Sequence, residues 1–325
     1  MDQPQQSVTI DDFEKIKLLG SGSCGDVYLV KNHNNNLQYA MKIIAKNSQH
    51  LINKALTEKE ILVHLHHPFI TELFYSFQTS SEFYIIMSYC EYGDFYHFMR
   101  KQKQRCFNEE QTKYYASCIL LALEYLHLNG IIYRDLKPEN ILVTKSGHIK
   151  LTDFDLSVYE KENITTRTMR NHHSHDLHVV CEPTIIMCEK VGTPEYFAPE
   201  IVDEKPYTCQ VDWWAFGIFI YEMLYGYTPF VANSIQSIQN LIKKCHLEFS
   251  THTPQGLKLS TKVKKLIKKL LKYEPHKRLG FKGGAIEIKD HPFFDGVEFQ
   301  LLRSQIPPIV PDPHVPMKRK KSYSC

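Results

Sequence analysis

The chain changes character once along its length. From Phe13 to Met87 apolar residues come in short runs, and beyond Gly93 they recur at helical spacing. Lys17–Leu19 and Val27–Lys31 flank a glycine-rich turn as the arms of a hairpin would, and Tyr39–Ile44 and Phe83–Met87 read as further strands. One helix is expected among them, over Asn53–Leu65, with Leu56, Ile61, Leu62 and Leu65 on its apolar side and Pro68 beyond its end. In the later part Glu109–Asn129 carries Tyr114, Tyr115, Cys118, Leu121 and Leu126 on one stripe, followed by Gly130 as a C-cap signal. Lys262–Tyr273 turns Val263, Leu266, Ile267, Leu270 and Leu271 one way and lysines the other, which suits a surface helix better than a membrane-bound one. A strand-rich segment followed by a helix-rich one predicts an α+β chain in two lobes with a cleft between them.

Composition narrows the setting. With 325 residues and 43% hydrophobic content there is enough apolar material for more than one lobe. A net charge of +3 names no partner. Met1–Ser7 is polar and does not resemble a signal peptide. The most apolar run, Trp213–Met223, is interrupted by Glu222 and too short to span a bilayer, so it reads as a buried helix. The 9 cysteines are scattered and odd in number, which suits a reducing cytoplasm. The sequon Asn163-Ile164-Thr165 would stay unmodified there.

Several motifs carry chemistry. Gly20-Ser21-Gly22-Ser23-Cys24-Gly25-Asp26-Val27 fits G-x-G-x-x-G-x-V, in which glycines let backbone N–H groups approach phosphate oxygens. It falls between two strands, which disfavours a dinucleotide fold. Lys42 on the next strand could neutralise phosphates if an anion holds it, and Glu58 on the following helix is the candidate. Then come Tyr133-Arg134-Asp135-Leu136-Lys137-Pro138-Glu139-Asn140, Asp153-Phe154 and Ala198-Pro199-Glu200.

In that order these motifs match the protein-kinase template. The match gives Asp135 the role of accepting the substrate hydroxyl proton, Lys137 that of stabilising the transferred phosphoryl group, and Asn140 and Asp153 that of holding Mg²⁺. Residues 13–294 resemble the AGC group of serine/threonine protein kinases through Tyr133, Gly192-Thr-Pro-Glu-Tyr196, Ala198-Pro-Glu200, Asp212-Trp-Trp214 and Lys277-Arg-Leu-Gly280. Lys137, two residues after Asp135, is the serine/threonine form. The resemblance implies a bilobal fold with a polar leader over 1–12, a small lobe over about 13–87, a larger lobe over about 91–294, and a C-terminal tail over 295–325. It implies ATP and Mg²⁺ as cofactors. Leu19, Gly20, Ser21, Gly22, Ser23, Cys24, Gly25, Asp26, Val27, Ala40, Lys42, Glu58, Met87 and Leu142 would bind the nucleotide, with Met87 as gatekeeper and Ser88 to Cys90 as hinge. Glu200 would pair with Arg278, and Asp212 would hold the catalytic-loop backbone. Asp94, Glu139 and Glu222 would receive substrate arginines, giving protein substrates with arginine upstream of Ser/Thr. Asp153-Phe-Asp155 in place of D-F-G, the long insertion before Gly192 (157–188) and the tail Leu301–Pro308 resemble fungal flippase-activating kinases and plant phototropin-type kinases.

Departures from the group carry their own expectations. Asp155 should make the segment flip less readily than a glycine would. Glu189, three residues before Gly192, stands where relatives carry a phosphorylated residue, and its carboxylate could pair with Arg134 without a phosphate. Lys190 replaces an apolar residue, and no F-x-x-F motif closes the chain. In the insertion His172, His173, His175, His178, Cys181 and Cys188 fit no tight metal spacing, and a solvated loop is expected. Cys24 is expected at the exposed tip of the glycine loop, as an inert residue. Lys318-Arg-Lys-Lys321 reads as a solvated tail, with transient contact to an anionic membrane or a nuclear address as the alternatives, and Ser322 lies in reach of self-phosphorylation. No nucleic-acid partner is expected, and the chain is expected to be a monomer. Two rival readings are a pseudokinase scaffold, disfavoured by the presence of Lys42, Asp135, Asn140 and Asp153, and a lipid or small-molecule kinase, disfavoured by the Ala198-Pro-Glu200 segment and the acidic trio.

Overall fold

The computed structural model describes residues 8–22, 24–160, 164–170, 177–183 and 185–312. Strands β1 (Phe13–Gly22), β2 (Gly25–Asn32) and β3 (Gln38–Ala45) are followed by helix α1 (Gln49–His64) and strands β4 (Leu73–Gln78) and β5 (Glu82–Ser88). The strands form one antiparallel sheet in the order β1-β2-β3-β5-β4. Alternation along β3 sends Tyr39, Met41 and Ile43 into an apolar cluster with Phe13, Val30, Tyr84 and Ile86, on which Val8 and Ile10 also pack. That leaves Ala40 and Lys42 for the opposite face. Gly25 makes the β1–β2 turn possible: its φ is +128°, and a Cβ there would lie 2.1 Å from the carbonyl oxygen of Ile43.

Helix α1 starts at Gln49 because the side chain of Ser48 accepts the N–H of Leu51 at 3.3 Å. Its buried positions are Ala55, Glu58, Ile61 and Leu62, whereas Leu56 is 47% exposed. The expected stripe is therefore corrected at one position. Helical phase puts Glu58 rather than Leu56 on the inner face, and a paired carboxylate tolerates burial there.

The larger lobe contains α2 (Phe95–Arg100), α3 (Glu109–Leu128), the short strands β6 (Ile131–Ile132), β7 (Ile141–Val143), β8 (Ile149–Leu151) and β9 (Val158–Tyr159), then β10 (Ile164–Arg170), β11 (Leu177–Pro183), α4 (Pro199–Val202), α5 (Gln210–Tyr225), α6 (Ile235–Lys244), α7 (Thr261–Leu270) and α8 (Gly284–Lys289). Every residue of α5 is buried. Helix α7 packs its apolar residues against α5 so closely that a Cβ at Gly217 would come within 2.9 Å of Leu270 and Leu271. Its apolar face is thus covered by protein, and its lysines point outward. Pairings β6–β9 and β7–β8 hold the ends of two loops, Tyr133–Asn140 between β6 and β7, and Thr152–Ser157 between β8 and β9.

The insertion departs from the solvated loop expected of it. β10 and β11 form an antiparallel hairpin in register from Ile164↔Pro183 to Arg170↔Leu177. β11 lies along α3 and α8, and Val180 is buried. A β-branched residue with an apolar seat favours a strand over a solvated loop. Asn163, His172, His173 and His175 lie outside the described residues, as do the side chains of His178 and Cys181; Cys188 is exposed. Among the described residues no group of three or more His, Cys, Asp or Glu could hold a metal, and no helix is long and apolar enough to cross a membrane. The tail runs back over the larger lobe, where Leu302 is buried and Tyr115 Oη donates to the carbonyl of Ile309 at 3.5 Å. Lys318–Lys321 and Ser322 lie outside the described residues.

Candidate active site

The site forms where the glycine turn, α1 and the two loops converge. Lys42 Nζ donates to Glu58 Oε2 at 2.7 Å and to Asp153 Oδ1 at 3.0 Å. Burial alone would push the ammonium toward neutrality, but Asp153 and Glu58 outweigh it and hold its pKa well above the usual lysine value. Lys42 therefore remains a buried cation. Beside it Ala40 packs with Leu19, Leu29, Val27 and Tyr89. Met87 faces Ala40 across the β3–β5 pair and is buried, and Leu142 lies on β7, bridged to Asp94. Across the hairpin Ser21 Oγ donates to Asp26 Oδ1 at 2.5 Å. A Cβ at Gly20 or Gly22 would meet nothing within 4 Å, so this backbone borders open space. Ser23 lies outside the described residues.

The loop Tyr133–Asn140 is held from below by Asp212, which is fully buried on α5. Its carboxylate accepts the N–H groups of Tyr133 at 3.0 Å and Arg134 at 2.8 Å, and His127 Nε2 at 2.8 Å. Arg134 and Asp153 both take left-handed backbone conformations, φ 68° and 63°. Such non-glycine strain persists only where surrounding bonds impose it, and it concentrates at functional sites. Asp135 Oδ2 accepts from Lys137 Nζ at 2.8 Å and Asn140 Nδ2 at 2.7 Å, and Oδ1 accepts from Thr193 Oγ1 at 3.1 Å. Burial pushes the Asp135 carboxyl above its ordinary value, against the pull of Lys137. Phe154 is fully buried, edge-on to Tyr133 with ring centroids 5.4 Å apart.

Further residues singled out in the sequence come together around this core. Arg134 donates to the carbonyl of Leu156 at 2.6 Å, to Glu189 Oε2 at 3.1 Å and to Tyr207 Oη at 3.1 Å. Tyr207 Oη in turn donates to the carbonyl of Glu189, and the Tyr207 backbone pairs with Met187. Lys190 turns toward Glu204 at 3.3 Å. Arg278 clamps Glu200 with two bonds of 2.8 and 3.0 Å, all of it buried. Asp94 caps α2 through the N–H of His97 and keeps His97 Nδ1 at 2.8 Å. Glu139 is exposed, whereas Glu222 is buried and accepts the hydroxyl of Tyr196. Burial pushes Glu222 up to about 7; Tyr196 pulls back, and the nearby carboxylates of Glu139 and Glu195 push further up.

One expectation is overturned. Cys24 is buried, not exposed: its thiol donates to Asp155 Oδ2 at 2.7 Å, and Lys54 Nζ reaches the same oxygen at 3.1 Å. An aspartate in the D-F-D motif gives the turn an acceptor that a glycine could not. Thr193, Tyr207 and Lys54 are the residues the sequence reading left without a role. Thr193 follows Gly192 in a stretch already singled out, so its place was the more legible one. Nothing local marks Tyr207 or Lys54, whose partners are remote in sequence.

The donor set suits a magnesium nucleotide. Both amide hydrogens of Asn140 are committed to Asp135, leaving its oxygen for a cation. Asp153 uses only Oδ1 for Lys42, and its side chain is 41% exposed toward the cleft. Oxygen ligands of this kind match a hard cation.

Comparison with known proteins agrees. Residues 13–294 match the protein kinase domain. The chain is 44% identical over 303 residues to Flippase kinase 1 of Saccharomyces cerevisiae, covering 92% of this chain and 34% of that protein. It is 40% identical to serine/threonine-protein kinase RHS3 of Arabidopsis thaliana, covering 94% and 69%, and 40% identical to Phototropin-1A of Oryza sativa subsp. japonica, covering 93% and 34%. The chain thus spans about a third of the yeast and rice relatives.

Proposed function

Because the chain belongs to the protein kinase family, among the AGC-type serine/threonine kinases, we propose that it transfers the γ-phosphoryl of ATP to serine or threonine in polypeptides with arginine upstream. The observation that carries this reading is the assembled state of the site: Lys42 bonded to both Glu58 and Asp153, with Phe154 buried beneath. Kinase catalysis requires that ion pair and that aspartate in place together.

In this reading the backbone of Gly20–Gly25 and the Lys42 ammonium bind the phosphates, while Leu19, Val27, Ala40 and Leu142 enclose the base. Mg²⁺, when bound, would be held by Asp153 and Asn140 and would neutralise phosphate charge. Asp135 accepts the substrate hydroxyl proton, and its raised basicity suits that task. Lys137, 2.8 Å from both Asp135 and Thr193, supplies positive charge where the phosphoryl group passes. Arginine preference is supported by Asp94, Glu139 and Glu222: Asp94 lies near enough to push the Glu139 carboxyl up and Glu139 near enough to push that of Glu222 up, so the three gather negative charge in one place. The reading includes activity without phosphorylation of the activation segment, supported by the Arg134–Glu189 pair, and a cytoplasmic, monomeric enzyme.

The test is a degenerate-peptide phosphorylation screen on wild type and Asp135→Asn. Arginine should be selected upstream of Ser/Thr, and Asp135→Asn should lose about 10²- to 10⁴-fold in rate. Acidic or proline-directed selection would remove the substrate part of the proposal, and undiminished turnover by Asp135→Asn would remove the mechanism.

A further inference from the structure

Lys54, Asp155 and Cys24 belong to three elements with no backbone pairing between them. Lys54 is on α1, Asp155 follows Phe154 in the loop between β8 and β9, and Cys24 is in the β1–β2 turn. Asp155 Oδ2 accepts from both others, at 3.1 Å from Lys54 Nζ and 2.7 Å from Cys24 Sγ, and Lys54 Nζ is 3.6 Å from Cys24 Sγ. The side chains are largely covered, 20% exposed for Lys54 and 10% for Asp155. A pair shielded to this degree is little screened by solvent, and removing one partner leaves the other charge covered and uncompensated.

Each member is close in sequence to a group of the site. Lys54 lies one helical turn before Glu58, on the same side of α1. Asp155 is two residues past Asp153, and Cys24 adjoins Gly25. Lys42 already ties β3 to α1 and to Asp153. The Lys54 cluster ties the glycine turn, α1 and the same loop a second time, through different atoms.

We propose that Lys54, Asp155 and Cys24 form a clasp that positions the phosphate-binding backbone, Glu58 and Asp153 relative to one another, with Lys54 and Asp155 as positioning residues for the reaction. The inference rests on the kinase reading for its link to catalysis. The thiol is kept protonated by burial and by Asp155, so it remains a donor. Asp155 Oδ2 is the shared acceptor for both donors. Swinging Phe154 outward would require breaking the Lys54–Asp155 bond.

The experiment is a double-mutant cycle on the full chain with Lys54→Met, Asp155→Asn and both together, with Lys54→Arg as the conservative variant that should rescue the pairing. Two quantities are read: the Kd of Mg·ADP by calorimetry, and the KM for ATP against kcat on an arginine peptide. Each single variant should weaken nucleotide binding about fivefold, the double variant no further, and Lys54→Arg should stay within about twofold of wild type. Effects that multiply to about 25-fold, or Lys54→Met indistinguishable from wild type, would overturn the clasp. Should Asp155→Asn not fold, Lys54→Met against Lys54→Arg still decides it. A wild type that binds Mg·ADP without phosphorylating any peptide would instead remove the kinase reading, while the cycle on Kd still tests the clasp.

Discussion

Glu222 gives the sharpest test of how burial and substrate recognition meet in this site. Its carboxyl is buried beneath Tyr196, beside Glu139 and Glu195, and its pKa rises from the ordinary 4.5 to about 7. A difference of that size corresponds to about 3 kcal/mol between the two protonation states. Between pH 4.5 and 7 the native protein binds a proton that the unfolded chain has released. The stabilisation is therefore fully present below about pH 4.5 and is lost as pH rises through about 7. Glu222→Gln stays neutral at every pH and can still accept from Tyr196. Relative to wild type it should have similar stability at pH 5 and gain up to about 3 kcal/mol at pH 8, read from urea unfolding. Under the proposed arginine preference, the incoming guanidinium would need the ionised form. The KM of wild type for an arginine peptide should therefore rise as pH falls below 7, by at most about tenfold per pH unit, and Glu222→Gln should lose that dependence. A stability difference between the two proteins that is the same at pH 5 and pH 8 would refute the reasoning.

Other perturbations test separate parts of the structure. Glu189→Ala removes a half of the Arg134 pair that is 62% exposed, so kcat/KM should fall only about two- to fivefold. Mass spectrometry should find active wild type unphosphorylated in the activation segment; activity that appears only after phosphorylation there would refute the built-in pairing. Glu200→Gln leaves Arg278 charged in the interior and should cost about 3–5 kcal/mol in urea unfolding. Gly25→Ala forces a Cβ onto the carbonyl of Ile43 at positive φ, costing about 1–3 kcal/mol and weakening ATP binding; an unchanged KM for ATP would contradict the turn geometry. Iodoacetamide should label exposed Cys188 before Cys24, and Asp155→Asn should speed Cys24 labelling, because burial and Asp155 both raise that thiol.

Much of this architecture was legible because two kinds of signal agreed. Strand periodicity placed β1, β2, β3 and β5 to within a few residues, and the motif order placed the loops that join β6 to β7 and β8 to β9. What escaped was set by partners distant in sequence. Leu56 looked internal by hydrophobicity alone, yet it is exposed, and the inner face goes to Glu58, the expected partner of Lys42. Cys24 looked exposed because it tips a turn, but Asp155, 131 residues away, covers it. β4 was not singled out: its residues are partly exposed on both faces, so no clean alternation marks them. The insertion read as a loop because its polar composition hides a buried residue, Val180.

The hold of Asp212 on Tyr133 and Arg134 has a consequence for time rather than position. By chain trace these two residues lie in a loop, a class of segment that usually opens readily. Their amide protons, however, are bonded to a carboxylate on a helix buried along its whole length. Solvent deuterium should therefore reach those two amides no faster than it reaches α5. The molecule would then divide by rate where the sequence does not. The loop that carries Asp135 would belong kinetically to the innermost helix rather than to the other loops.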